Sequence, residues 1–205
     1  MRYDRIVFAT GNAGKMREIK EIMSDLPIQI VSMKEADVVT DIIEDGNMFE
    51  ENALIKARSI SKICQFKGYH DIVLADDSGL EIDALNKEPG IYSARYMGED
   101  TPYSVKNANL IKRLEGIPDD RRTARFVCAI ATVLPDNTEL SVRATIEGQI
   151  GYEEKGTNGF GYDPIFYVPK YHCSTAELSM EQKNAISHRG KALQVMKEQL
   201  KQYIF

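Results

Sequence analysis

The run Ile6-Val7-Phe8-Ala9-Thr10, broken at once by Gly11-Asn12-Ala13-Gly14, constrains this chain more than any other segment. A short apolar run ending in a turn reads as a strand buried on both faces, as in α/β sheets. Met16, Ile19, Ile22 and Met23 then recur at helical spacing and form one apolar stripe. Ile28 to Val31 reads as a second strand. Strand, turn, helix, strand is a βαβ opening.

The rest of the chain fits that start. Ala53, Ala57, Ile60 and Cys64 mark the core face of a helix from about Met48 to Cys64. Ile72 to Ala75 predicts another buried strand, ended by Asp76-Asp77-Ser78-Gly79. A helix is expected between Tyr103 and Leu114. Two long strands, Thr123 to Leu134 and Leu140 to Ile150, flank the turn Pro135-Asp136-Asn137. A final helix is expected after Gly190, with Leu193, Met196 and Leu200 as its stripe. The expected fold class is α/β or α+β with a mixed sheet. The 205 residues are 43% hydrophobic, enough for a sizeable core in one domain over 1–205.

Composition excludes several functions. A net charge of −5 argues against generic nucleic-acid binding, which needs a basic surface. The three cysteines, Cys64, Cys128 and Cys173, show no CxxC spacing, so a reducing compartment is expected rather than a disulfide framework or zinc site. No signal peptide is visible, and no apolar stretch approaches about 18 residues. The expectation is a soluble cytoplasmic protein with no membrane partner.

Five segments carry candidate chemistry. In Thr10-Gly11-Asn12-Ala13-Gly14-Lys15, backbone N–H groups at a helix start and a Lys suit phosphate. It is not a Walker A loop: two residues, not four, separate the glycines, and Met16 follows the Lys. The segment also reads as a plain turn. Asp76 and Asp77 follow a buried strand, where open α/β sheets place ligands. Adjacent strand residues point to opposite faces, so one could face a ligand while the other satisfies backbone donors. An Asx-turn is the competing reading. Glu44, Glu50 and Glu51 precede or begin a helix; they read as oxygen ligands for a divalent cation or as a solvated acidic helix start. Asn52 and Lys56 share one side of that helix. Gly156 to Pro164 places Phe160, Tyr162 and Asp163 among three glycines, which suits close approach to a flat ligand or merely a loop with an aromatic anchor. Lys183 to Gly190 gathers Lys183, His188 and Arg189 near a helix start.

Taken together the segments resemble the inosine/xanthosine triphosphate pyrophosphatase family. The resemblance rests on ThrGlyAsnAlaGlyLys at 10–15, PheGluGluAsnAla at 49–53, AlaAspAspSerGlyLeu at 75–80 and ProGlyIleTyrSerAlaArgTyr at 89–96. ArgThrAlaArgPhe at 122–126, GlyPheGlyTyrAspProIlePhe at 159–166 and SerHisArgGly at 187–190 complete it. The ordered set spans nearly the whole chain. It implies an α/β fold with an elongated mixed central sheet flanked by helices, and two lobes with an active-site cleft between them. It implies a homodimer that uses Mg2+ and splits ITP, dITP and XTP into monophosphate and pyrophosphate. By position, Thr10, Gly11, Asn12, Ala13, Gly14 and Lys15 should hold the triphosphate. Asp77 should be general base and metal ligand, Glu44 the second ligand with Glu51 in reserve, and Ser78 a substrate contact. Phe160, Gly161, Tyr162, Asp163, Lys183, His188 and Arg189 should enclose the nucleotide, and Lys56 should reach the phosphates. Two positions depart from the family pattern: Met48 stands where Thr is usual, and Asn158 where Gly is common. Competing readings are a pyrophosphatase for pyrimidine or modified nucleotides, a silent nucleotide sensor and an interaction module.

Overall fold

The computed structural model describes residues 3–204; Met1 and Arg2, the first residues of the signal-peptide reading, lie outside them. Among the described residues, seven strands form one sheet in the order β2-β1-β3-β4-β5-β6-β7. These are β1 (Ile6–Phe8), β2 (Ile30–Ser32), β3 (Ile72–Ile82), β4 (Thr123–Val133), β5 (Glu139–Ile150), β6 (Phe166–Val168) and β7 (Cys173–Ser174). The helices are α1 (Ala13–Ile22), α2 (Phe49–Phe66), α3 (Tyr103–Arg113), α4 (Met180–Ile186) and α5 (His188–Ile204). β1 pairs in parallel with both β2 and β3, Ile6 opposite Ile30 and Ile72, as a βαβ crossover requires. β5–β6 and β6–β7 are antiparallel. The sheet is therefore mixed and the fold α/β.

The chain divides into two compact units. Unit 1 comprises 1–77, 128–144 and 189–205; unit 2 comprises 78–127 and 145–188. In unit 1 the α1 stripe of Met16, Ile19, Ile22 and Met23 packs with Ile6, Phe8, Leu74, Ile130, Leu193 and Met196. In unit 2 Leu80, Ile82, Leu110, Leu114, Phe126, Ile146 and Phe166 form a second core. Burial of this apolar area, at about 25 cal/mol per Å², drives both.

Two expectations are corrected. Asp76-Asp77-Ser78-Gly79 does not end β3, which runs on to Ile82. Carboxylates can stay in a buried strand when cations meet them, and here they do. The last helix starts at His188, so Gly190 lies in its first turn and does not precede it. α1 follows the turn, as expected; Asn12 is its N-cap, and its side-chain oxygen accepts from the Lys15 amide at 3.0 Å. α2 starts without such a bond, because Met48 sits at its N-cap position.

Candidate active site

The unit 1 group is built around β3. Alternation along the strand turns Asp76 and Asp77 to opposite faces, and each meets its own partners. Asp76 is 1% exposed. Its Oδ2 pairs with Lys15 Nζ at 2.9 Å and with Arg189 Nε at 3.4 Å. Arg189, itself buried, also donates to the Glu18 carboxylate from its NH1 nitrogen. Burial by itself would push the Asp76 carboxyl up, but the charges of Lys15, Arg189 and Lys56 outweigh it and hold the group well below the usual carboxylate range. One carboxylate of the pair thus anchors two cations.

Asp77 has different surroundings. Asn52 Nδ2 donates to its Oδ2 at 3.2 Å, and Lys56 Nζ stands 3.6 Å from its Oδ1. The same ammonium is 2.8 Å from Glu44 Oε2. Asn52 is fixed in turn, accepting from the Gly46 amide at 2.9 Å. Burial raises the Asp77 pKa; Lys56 opposes this and Glu44 adds to it. Lys56 stays charged: burial disfavours its ammonium, but Asp77, Asp76 and Glu44 together more than compensate, raising its pKa. Buried, and sharing Lys56 with Glu44, Asp77 holds its proton more readily than an ordinary aspartate.

The unit 2 group is a loop braced by a second ion pair. Asp163 Oδ2 accepts from the Phe160 amide at 2.8 Å and pairs with Lys183 Nζ at 2.8 Å. Its Oδ1 accepts from Thr175 Oγ1 at 2.9 Å. The Lys183 ammonium lies 4.7 Å from the Phe160 ring centroid. Gly159 has φ +77°, and a side chain there would run into the Asp163 carboxylate. His188 stacks on Phe126, with centroids 4.9 Å apart and planes 20° from parallel.

The Ham1 family model matches residues 6–199. The chain belongs to the Ham1 family. A relative from Exiguobacterium sibiricum named dITP/XTP pyrophosphatase is 45% identical over 200 residues, covering 98% of each chain. One from Desulforamulus reducens with the same name is 49% identical over 189 residues, covering 92% of each. A solved HAM1 protein from Coxiella burnetii superposes with a TM-score of 0.86 at 41% identity, covering 98% of this chain and 100% of its own.

In this Ham1-family chain the sequence-predicted residues fall into both groups. Lys15, Glu44, Asp77 and Arg189 belong to the unit 1 group; Phe160, Asp163, Lys183 and His188 lie in unit 2. Lys15 and Arg189, expected as cations facing a triphosphate, are also ion-paired to Asp76. Ser78 is half-buried next to Asp77 in β3. Tyr162 is buried, its hydroxyl donating to the Ser93 carbonyl at 2.7 Å. Glu51 serves the loop, accepting from the Asn47 amide at 2.7 Å.

Glu18 received no role from the sequence, although it sits three residues after Lys15 on the same helical face. Asn52 was seen only as a neighbour of Lys56; its position one turn before that lysine was the available signal. Among the described residues, no three His, Cys, Asp or Glu side chains gather as a metal cage. Glu44 and Asp77 converging on one ammonium supply two oxygen donors. That suits a cation bound by one or two carboxylates with water and ligand oxygens completing its shell.

Proposed function

We propose that this Ham1-family chain hydrolyses ITP, dITP and XTP to the monophosphate and pyrophosphate, with Mg2+ as cofactor. The observation that carries the reading is the convergence of Asp77 and Glu44 on Lys56, beside an Asp76 that anchors Lys15 and Arg189. A triphosphate brings about four negative charges. The unit 1 group sets Lys15, Lys56 and Arg189 against Glu18, Glu44, Asp76 and Asp77, three cations against four carboxylates. Such a group takes up so anionic a ligand only with added positive charge. Glu44 and Asp77 would hold the magnesium ion, which when bound neutralises phosphate oxygens and acidifies water.

The chain's own residues do the rest. The amides at the start of α1 and the ammonium of Lys15 hold phosphate oxygens in place. Asp77 takes the proton from the water that attacks the α-phosphorus. The new bond is water oxygen to phosphorus; the bond to the β-phosphate oxygen breaks, and pyrophosphate leaves. A carboxylate within reach of the attacking water suits this task. Phe160, fixed by Asp163 and Lys183, offers a stacking face for a purine. Hypoxanthine and xanthine present a carbonyl at position 6, so a donor there accepts them and opposes the amino group of adenine, a mismatch worth about 10⁴-fold or more. The free thiols of Cys64, Cys128 and Cys173 support placement in the cytoplasm, and the family resemblance supports a homodimer.

The deciding experiment is pyrophosphate release by the purified protein from ITP, dITP, XTP, GTP, ATP, dTTP and UTP, with Mg2+ and with EDTA. Turnover of the first three in Mg2+, abolished by EDTA, is the expected result. No pyrophosphate from any of them, or equal rates across the panel, overturns the proposal.

A further inference from the structure

α3 buries polar side chains that its own stability does not require. Lys106 is 0% exposed and Asn107 is 1% exposed. With Tyr103 they stand at i, i+3 and i+4, on one face of the helix. Burying an ammonium and an amide costs free energy unless each is well bonded. Both are bonded to loop backbone. Lys106 Nζ donates to the Ala94 carbonyl at 2.7 Å and lies 4.9 Å from the Tyr103 ring centroid. Asn107 Nδ2 donates to Glu154 Oε1 at 2.6 Å and to the Gly161 carbonyl at 3.4 Å. The Tyr103 ring meets the Tyr162 ring edge-on, 5.1 Å between centroids and 87° between planes. Tyr162 in turn donates to the Ser93 carbonyl. Ser93 Oγ accepts from the Leu80 amide at 2.8 Å and donates to the Gly90 carbonyl at 2.6 Å.

One helix face therefore grips two segments, 90–94 and 161–162. The second is the continuation of Phe160. Gly156, Gly159 and Gly161 all have positive φ, so this loop follows no regular ladder and takes its shape from such side-chain bonds. A site that tells purines apart by one exocyclic group must be held to within about 0.5 Å. We propose that Tyr103, Lys106 and Asn107 form the positioning device of the Phe160–Asp163 loop and thereby set the purine selectivity of the reaction. This rests on the function proposed above. It also gives the 89–96 motif a role: its carbonyls are the fixed points against which the loop is braced.

Lys106 and Asn107 are too buried to touch substrate, so their effect must appear as altered discrimination. The test measures kcat and KM for ITP, XTP and GTP with Asn107→Leu, Lys106→Met and Tyr103→Leu, together with Tm. Tyr103 is 38% exposed, so its variant tests the idea even where a deeper one fails to fold. The expected result is a fall of about tenfold or more in the ITP-to-GTP ratio of kcat/KM for the deeper variants. It should come from a higher KM for ITP, with kcat changed less than about threefold, and Tyr103→Leu should shift the ratio in the same direction. Folded variants that keep the wild-type ratio, or that lose kcat equally on all three substrates, overturn the inference. If the wild-type protein releases no pyrophosphate from ITP, it is the proposed function that fails.

Discussion

Asp76 and Asp77 share a backbone and a chemistry, yet their neighbours drive them apart. Asp76 sits among Lys15, Arg189 and Lys56, and its carboxyl is held low. Its pairing stabilises the fold above the ordinary carboxylate pKa of about 4 and is lost as pH falls through the depressed folded value. Asp77 is the reverse case. Its pKa is raised by burial, with Glu44 adding to the effect, so the protein bears a cost for its charge that grows as pH rises through the folded value. Asp77→Asn therefore has two separable consequences. kcat falls by about 10² to 10⁴-fold, the usual worth of a general base. Tm at neutral pH stays equal to or above wild type, and that advantage disappears near pH 4. Steady-state kinetics and melting curves at both pH values check the pair; near-normal turnover removes Asp77 from the mechanism. For the wild type, kcat/KM should fall on the acid side, because protonated Asp77 accepts no proton.

At the scale of the element, α2 supplies Asn52 and Lys56, one turn apart, to the unit 1 group. Its start is imperfect. Glu50 and Glu51 complement the helix dipole, but Met48 at the N-cap provides no side-chain acceptor and is 52% exposed. Met48→Thr should supply that acceptor and stabilise the protein by about 1 kcal/mol. A urea midpoint shifted upward at unchanged slope is the signature; no shift means that water and the acidic first turn already satisfy those amides. α1 shows the contrasting design, with Asn12 capping the helix that carries Lys15 and Glu18. Sequence rules found the turn before α1, because glycine and asparagine turn signals are local; that Asn12 caps the helix is seen only in the structure. The same rules ended β3 too soon because two aspartates and a serine have low strand propensity. Lys15, Lys56 and Arg189, far away in the chain, allow the strand to continue.

In the whole molecule, neither unit is a continuous stretch of chain. Unit 1 needs 128–144 and 189–205 to complete a core begun by 1–77, with Ile130, Leu193 and Met196 packing on Ile6 and Ile19. A fragment ending at residue 127 should therefore lack a cooperative melt by circular dichroism, although it contains most of the sequence-predicted phosphate and acidic residues; a sharp transition would show that 1–77 folds without its later segments. The sequence by itself determined the α/β class and placed α1, α2, α3, β4 and β5 near their true limits, because periodicity and glycine turns act over a few positions; the short β6, β7 and α4 carried no such signal. Only the tertiary structure decided which carboxylate meets which cation, that Glu18 and Asn52 join the group, and that buried Lys106 and Asn107 brace a loop. Those outcomes depend on burial and on charges brought together from up to 171 residues apart, as in Glu18 and Arg189, and no local pattern encodes such distances.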